Sequence, residues 1–127
     1  MSLGYASQYV SGTLTAGLII TPSGPELTIA SGAITVTSSI HPVDTEADAA
    51  SDNLDTISGG VDGQHLWIHS VGMSRTVVVT ESGNVWIGGG AGRTISLTDS
   101  DQWLHLIYFG VYSKWVAQSA PFGATVT

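Results

Sequence analysis

The sequence predicts an all-β fold: a jelly-roll-like, antiparallel β-sandwich preceded by an extended N-terminal arm. Glycine accounts for 16 of the 127 residues, and serine and threonine are also abundant. This mixture disfavours helices and favours strands joined by tight turns. Short apolar segments recur about every ten residues between turn-forming residues, a spacing typical of sandwiches and jelly rolls. The chain length suits one domain of ordinary size.

The composition excludes several classes of function. The formal net charge is −7, so nucleic acid is not an expected partner, because phosphate binding needs a basic surface. Cysteine is absent, which rules out disulfides and thiolate chemistry. The longest apolar run, Ala16 to Ile20, is far shorter than a membrane span. No Lys or Arg precedes Arg75, so a secretory signal is not expected and neither is a membrane partner.

Residues 1–25 differ from the rest of the chain because they carry no charged side chain. Two prolines and a glycine between Thr21 and Pro25 predict a break, so we expect an arm at 1–25 and a β-sandwich domain at 26–127. The arm either supplies edge strands to its own domain or lies on a neighbouring subunit. In the second case its expected anchors are large apolar residues: Tyr5, Tyr9, Leu14, Leu18 and Ile19.

The domain is expected to begin with a strand pair, in which Leu27 to Ile29 and Ile34 to Ile40 flank a turn at Ser31-Gly32. Residues 41–63 contain six acidic residues, and we expect a long ordered loop with one helical turn at Leu54 to Ile57. The sequence shows no internal repeat. Later alternating apolar segments predict six further strands, at 65–70, 75–80, 84–87, 93–98, 103–109 and 114–118.

Two of these strands present candidate interface residues. His65, Trp67 and His69 share one strand face, but the two histidines lie about 13 Å apart along an extended strand, too far to bind one zinc ion. The strand at 103–109 is apolar on both faces, which predicts burial on both. We therefore expect Trp67, Trp103 and Phe109 to lie in an oligomer interface, and a free monomer is not expected.

No motif indicates catalysis. The sequence contains no G-x-S-x-G nucleophile elbow, and Gly88–Gly90 lacks the Gly-Lys-Ser/Thr ending of a phosphate loop, so it reads as a β-turn. The acidic residues Asp44, Glu46, Asp52 and Asp55 do not follow the spacing of a calcium loop and are expected to make local hydrogen bonds or to face a basic surface of a partner protein. We expect no catalytic, cofactor-binding or metal-binding residue.

Residues 33–116 resemble a module found in structural proteins of tailed bacteriophages. The module has a His-x-Val-Asp-Thr-Glu segment, matched from His41 to Glu46, and an Asp-Leu-Asp-x-Ile-x-Gly-Gly segment, matched by Asn53 to Gly60 with Asn53 departing from the acidic pattern. A Gly-x-Asp-Gly-Gln turn follows at Gly60 to Gln64, and a late tryptophan, Trp115, closes the module. The resemblance implies a virion component.

Within virions, this module is part of a much longer chain in fibres and tailspikes, whereas here it makes up most of the sequence. The chain is therefore expected to be a capsid cement or decoration protein, made in the host cytoplasm and located on the capsid exterior. Its expected partners are the major capsid protein and itself, as a homotrimer. A tail-fibre or adaptor component is the alternative. A carbohydrate-binding domain that stacks sugars on Trp67, Trp86, Trp103 and Trp115 is a third possibility.

Overall fold

The computed structural model describes residues 10–127 of the chain, and this part is all-β. It contains no α-helix; its one helical element is a 3₁₀ turn at Glu46–Asp48. The strands are β1 Leu27–Thr28, β2 Ala33–Thr35, β3 Ile40–Asp44, β4 Ser51–Leu54, β5 Thr56–Ser58, β6 His65–Ser70, β7 Thr76–Thr80, β8 Val85–Trp86, β9 Thr94–Leu97, β10 Leu104–Phe109, β11 Lys114–Ser119 and β12 Thr125–Val126.

The strands form three sheets. A six-stranded sheet has the order β1-β3-β6-β10-β11-β8, a four-stranded sheet has the order β12-β9-β7-β4, and β2 pairs with β5. Both larger sheets are mixed. The strands pair in parallel at β1–β3, β3–β6, β4–β7, β2–β5 and β8–β11 and antiparallel at β6–β10, β10–β11, β7–β9 and β9–β12. The expectation of purely antiparallel sheets is therefore wrong.

Three of the parallel pairs, β2–β5, β3–β6 and β4–β7, arise because the first half of the domain winds as a coil. The chain passes from β3 through β4 and β5 before β6 returns to pair beside β3, and β7 then pairs beside β4. Ile34 pairs with Ile57 and Ile40 with Trp67, so one turn of the coil takes about 25 residues. After β8 the chain reverses, and β9 and β10 pair antiparallel with β7 and β6.

One hydrophobic core lies between the sheets. Alternate residues of each strand point inward, as in β6, whose Leu66 and Ile68 are fully buried while the residues between them are not. Trp115 is the largest buried side chain. The other core residues are Ile29, Ile34, Val36, Val43, Leu54, Ile57, Val77, Val79, Val85, Ile95, Leu97, Leu104 and Leu106.

The six strands expected after residue 64 are confirmed as β6 to β11, with ends that differ by at most one residue. Two earlier expectations are wrong. Residues 41–63 are not a loop with a helical turn, because β3, β4 and β5 occupy much of this stretch. The first strand pair is not a hairpin: only the Ala30–Ala33 bridge joins its halves, and β1 and β2 belong to different sheets.

The side chain of Asn84 connects two turns of the coil through hydrogen bonds, at a point where their strands do not pair. Asn84 accepts a hydrogen bond from the backbone N–H of Ile57 at 2.9 Å and donates one to the carbonyl of Ile57 at 2.6 Å. The indole N–H of Trp115 donates to the same carbonyl at 3.1 Å. Ile57 is fully buried, so its backbone N–H depends on this side chain instead of on water.

We expect Asn84→Ala to lower the free energy of unfolding by about 1–3 kcal/mol, because it leaves the buried N–H of Ile57 without a partner. Urea denaturation followed by tryptophan fluorescence measures the loss. Asn53→Ala is the matched control: Asn53 is exposed, and its replacement should change stability by no more than about 0.5 kcal/mol. Equal losses in the two variants would contradict the bridging role of Asn84.

Candidate functional site

The outward side of the six-stranded sheet forms an aromatic face. Its members alternate with the buried core residues of their strands, so they project away from the core. Its apolar, aromatic and histidine members are Ile40 and Pro42 of β3, His65, Trp67 and His69 of β6, Trp103 directly before β10, His105, Ile107 and Phe109 of β10, Val116 of β11 and Trp86 of β8. Asp44, Lys114 and Gln118 lie at its edges on the same side.

Cross-strand pairing brings the rings of this face into contact. Trp67 pairs with His105 across β6 and β10, and their rings stack with centroids 4.4 Å apart and planes 4° apart. His69 and Trp103 stack in the same way at 4.8 Å. These separations match the ~4.8 Å spacing of neighbouring strands, so the sheet itself sets the stacking distance.

Two histidines meet directly within the aromatic face. Nδ1 of His65 lies 2.8 Å from Nε2 of His105, a distance at which one ring nitrogen donates and the other accepts a single proton. Burial lowers the pKa of His105, and the neighbouring His65 lowers it further. Both effects favour the uncharged imidazole, which suits an apolar surface.

The structure places the predicted interface residues on two surfaces. Trp67, Trp103 and Phe109 share the aromatic face, and the last two are 42% and 37% exposed. Leu14 and Leu18 belong to the segment before β1 and are largely exposed, as is Ile19. Tyr5 and Tyr9 lie outside the described residues.

Sequence reasoning missed several members of the aromatic face. The contact between His65 and His105 depends on the register of β6 against β10, which a single sequence does not specify. Pro42 and Val116 could not be assigned to this face, because the sequence does not show that β3 lies beside β6 and β11 beside β10. The available signal was period-two alternation, which already put His105 on the same side of its strand as Trp103 and Phe109.

The acidic residues of 41–63 bind the backbone, as expected for local hydrogen bonding. The carboxylate of Asp52 accepts from the N–H of Glu46 at 2.8 Å, and that of Glu46 accepts from the N–H of Ser31 at 3.3 Å. Asp44 forms an ion pair with Arg75 at 3.2 Å. Within residues 10–127 no three metal-ligating side chains come together.

The triple glycine forms a turn whose N–H groups are already occupied. Glu81 accepts hydrogen bonds from the backbone N–H groups of Ile87, Gly88 and Gly90 at 2.7 to 3.1 Å. Three N–H groups converging on one carboxylate resemble an anion-binding nest. Here the chain supplies its own anion, so the turn is not left open for a phosphate.

The four tryptophans do not form one stacking platform. Trp115 is fully buried, so the expectation that it is an exposed sugar platform is wrong. Trp86 is 39% exposed and lies 5.3 Å from Tyr112, ring to ring, with Nζ of Lys114 5.7 Å from its ring. A small cleft of about 200 Å³ opens beside Trp86 and Lys114.

The four histidines bond to the backbone or to one another. His41 contacts the backbone of Thr37, Ser38 and Pro25, and His69 contacts the carbonyl of Ser70. None of these contacts is the serine-to-histidine hydrogen bond of a nucleophile and its base. Within the part of the chain that the structure describes, no helix has the length and apolar character to cross a bilayer.

A comparison with models of known protein families finds no match, and a comparison with curated protein sequences finds no significant similarity. The resemblance to the phage module therefore depends on the motif residues alone.

We expect a chelator to leave the thermal unfolding midpoint unchanged, because the carboxylates of Glu46 and Asp52 are already occupied by backbone N–H groups. Calorimetry with and without EDTA, followed by added calcium, measures this. Asp52→Asn, which weakens the acceptor for the N–H of Glu46, is expected to lower the midpoint equally with and without the chelator. A fall of many degrees in EDTA that calcium restores would show that the acidic segment holds an ion.

Proposed function

We propose that this chain is a capsid cement protein of a tailed bacteriophage. It is a non-enzymatic virion component on the capsid exterior, and it bridges neighbouring major capsid proteins and stabilises the DNA-filled head. The observation that carries the proposal is the segment before β1, which is apolar, uncharged and exposed but fixed at its base. The motif residues shared with phage structural proteins support the same assignment.

The exposed part of the arm offers apolar side chains that no other described residue buries. Leu18, Ile19 and Ile20 are each at least 73% exposed, and no residue from 10 to 26 belongs to a strand. Burying each such side chain on another protein contributes about 1.5–3 kcal/mol, while ordering the backbone costs about 1–2 kcal/mol per residue. Net binding therefore requires a partner that covers most of these side chains together.

The base of the arm is held by His41. This fully buried side chain accepts hydrogen bonds from the N–H groups of Thr37 and Ser38, and its Nδ1 donates to the carbonyl of Pro25 at 2.7 Å. The N–H of Gly24 donates to the carbonyl of Ile40 at 2.7 Å. A Cβ at position 24 would lie 2.5 Å from that of Ser38, so the close approach requires glycine.

Charge separates the arm from the body. All ten acidic residues follow Pro25, and only three Lys or Arg residues accompany them. An uncharged arm enters an apolar groove without desolvating any ion, whereas the acidic body is kept at the surface and suits a basic rim around that groove. This division of roles fits a protein that attaches by its arm and remains outside the shell.

The architecture proposed for the body is a β-sandwich related to jelly rolls. In it the six-stranded and four-stranded sheets are the two layers, and the β2–β5 pair closes one side. The shared core and the alternation of buried and exposed residues support this classification. The expected homotrimer stays a prediction that a single chain does not test. The two-chain contact proposed below is a competing arrangement, and sedimentation distinguishes the two.

Two other functions stay open to test. A tail-fibre or adaptor component would use the same arm on a tail protein, and locating the labelled chain on virions distinguishes it from a head protein. Carbohydrate binding is favoured by one observation, the exposed pair Trp86 and Tyr112 beside Lys114. Glycan binding by the purified protein that is lost on Trp86→Ala would support that function.

We expect deletion of residues 1–20 to leave the β domain folded but to weaken attachment to phage heads. The deletion spares the contacts of Pro25 and Gly24 with the domain, while it removes the exposed apolar side chains. Co-sedimentation of intact and truncated protein with heads stripped of the protein measures retention.

A point variant and a matched control sharpen this comparison. Leu18→Ser/Ile19→Ser removes apolar surface from the arm, and Met73→Ser/Val111→Ser removes it from equally exposed sites on the body. The arm variant should lose most of its binding, and the body variant should retain it. Equal retention of all forms would contradict attachment through the arm.

The purified protein is expected to hydrolyse no polysaccharide, ester or peptide substrate, because none of its histidines is hydrogen-bonded to a candidate nucleophile. Chromogenic substrates of each class measure this. A turnover that disappears on replacement of one serine or aspartate would identify an enzyme and overturn the proposal.

A further inference from the structure

We propose that the aromatic face binds the same face of a second copy of this chain, and that acid separates the two copies. The inference does not depend on binding to phage heads, because it concerns a different surface from the arm. It starts from a sheet with large side chains on both sides: the inner side is filled by the core, while on the outer side His65, Trp86, Trp103 and Phe109 are exposed among the described residues.

The size of the aromatic face fits a protein contact. It spans five strands, from β3 to β8, and therefore about 19 Å at ~4.8 Å per strand. Along β10 it extends from Trp103 to Phe109, about 20 Å at ~3.3 Å per residue. Two such faces together remove roughly 800 Å² of flat area from water, and more once side-chain relief is counted, which is the range of weak but specific interfaces.

The charge distribution favours a second copy as the occupant. Two chains of charge −7 repel each other wherever their acidic surfaces meet. Among the described residues, the outward side of this sheet carries one acidic residue, Asp44, two positions beyond Pro42 in β3, and it is ion-paired with Arg75. Lys114, opposite Phe109, adds a positive charge at the other end. The copies can thus approach through this face without opposing unpaired carboxylates.

The shape of the aromatic face also favours a second copy as its partner. A twisted sheet packs well against an equally twisted sheet, with side chains interdigitating across about 10 Å. In a two-fold contact each favourable pair of residues occurs twice, so an exposed aromatic such as Trp103 contributes from both copies. A charged or strongly polar partner would instead leave its own groups unpaired against these rings.

The histidine pair makes such a contact sensitive to acid. His65 and His105 hold one proton between nitrogens 2.8 Å apart, so protonation of both rings sets two N–H donors against each other. A second copy that covers the histidine pair displaces the water that would solvate the added positive charge. The contact therefore requires the pair to be uncharged.

The groups that surround the pair offer little compensation for a positive charge. β3 presents Ile40 and Pro42, β6 adds His69, and β11 presents Val116 and Gln118, none of which is acidic. The ring of Trp67, stacked on His105, attracts a cation, yet the pKa of His105 is lowered, first by burial and then by His65. Since the uncharged form is the associating form, association is present above the lowered pKa of His105, which lies under the ordinary histidine value of ~6.5, and is lost as the pH falls below that lowered pKa.

Sedimentation of the full chain at about pH 7.5 and pH 5 tests both parts of the proposal. We expect a mass of two chains at the higher pH, at concentrations of tens of micromolar, and one chain at the lower. A single-chain mass at both values, or a three-chain mass, would overturn the face-to-face contact. Two chains at both values would overturn the role of acid.

Variants identify the surface. Trp103→Glu replaces a 42% exposed ring at the edge of the aromatic face and should give single chains at both pH values. Met73→Glu adds the same charge in the β6–β7 turn, where Met73 is 80% exposed, and should associate like the parent chain. Circular dichroism confirms folding of each variant. Association that survives Trp103→Glu in a folded chain would place the contact elsewhere.

The double variant His65→Gln/His105→Gln tests the switch separately. Glutamine retains a donor and an acceptor but does not titrate in this range. The double variant is expected to form pairs at pH 7.5 and to need a lower pH to separate, because neither glutamine gains a proton. A variant that separates at the same pH as the parent chain would show that other groups control the release. The head-binding experiment is unaffected by either result, so the two proposals fail independently.

Discussion

The fold depends on placing each turn of the coil directly beside the one before it. Parallel pairing of β3 with β6 and of β4 with β7 provides this along the strands, but the corners between strands leave backbone groups without ladder partners. Polar side chains fill these positions: His41 at the base of the arm, Glu46 and Asp52 at the corner before β4, and Asn84 beside β5. Most of the few charged and amide side chains around the coil are therefore committed to holding its turns in register.

The strands after residue 64 could be predicted because their apolar residues alternate without interruption. In β4 and β5 only Leu54 and Ile57 point inward, and the outward positions are Ser, Asp, Asn and Thr. Such a stretch reads as a loop, since two short strands with one buried residue each carry too little alternation to be recognised. The coil repeats about every 25 residues, but this period does not show as a sequence repeat, because a different polar residue hydrogen-bonds at each corner. Local patterns thus predicted strands, and only the three-dimensional structure showed their partners.

The same limit applies to the aromatic face. Period-two alternation put Trp67 on one side of β6 and Trp103 with Phe109 on one side of β10, which the structure confirms. That the two sides are the same side of one sheet, and that His65 meets His105 there, depends on a register across forty positions of sequence. The arm differs again: its sequence left open whether Leu14, Leu18 and Ile19 pack on their own domain or on a neighbouring subunit, and the structure shows them largely exposed.

The motif residues and the exposed surfaces are different parts of the molecule, and this limits what the resemblance to the phage module implies. The motif residues are mostly structural: His41, Val43, Thr45 and Trp115 are buried, and Asp44 and Glu46 make the ion pair and hydrogen bond that fix the turns. A resemblance carried by such residues concerns the architecture of the module and not its partner. The side chains free to select a partner are those of the arm and of the aromatic face, and apart from Pro42, which fills the variable position of the first segment, they lie outside the quoted motifs. The shared architecture therefore does not determine what a chain attaches to, and in this chain the arm and the aromatic face are the two surfaces on which we place its proposed partners.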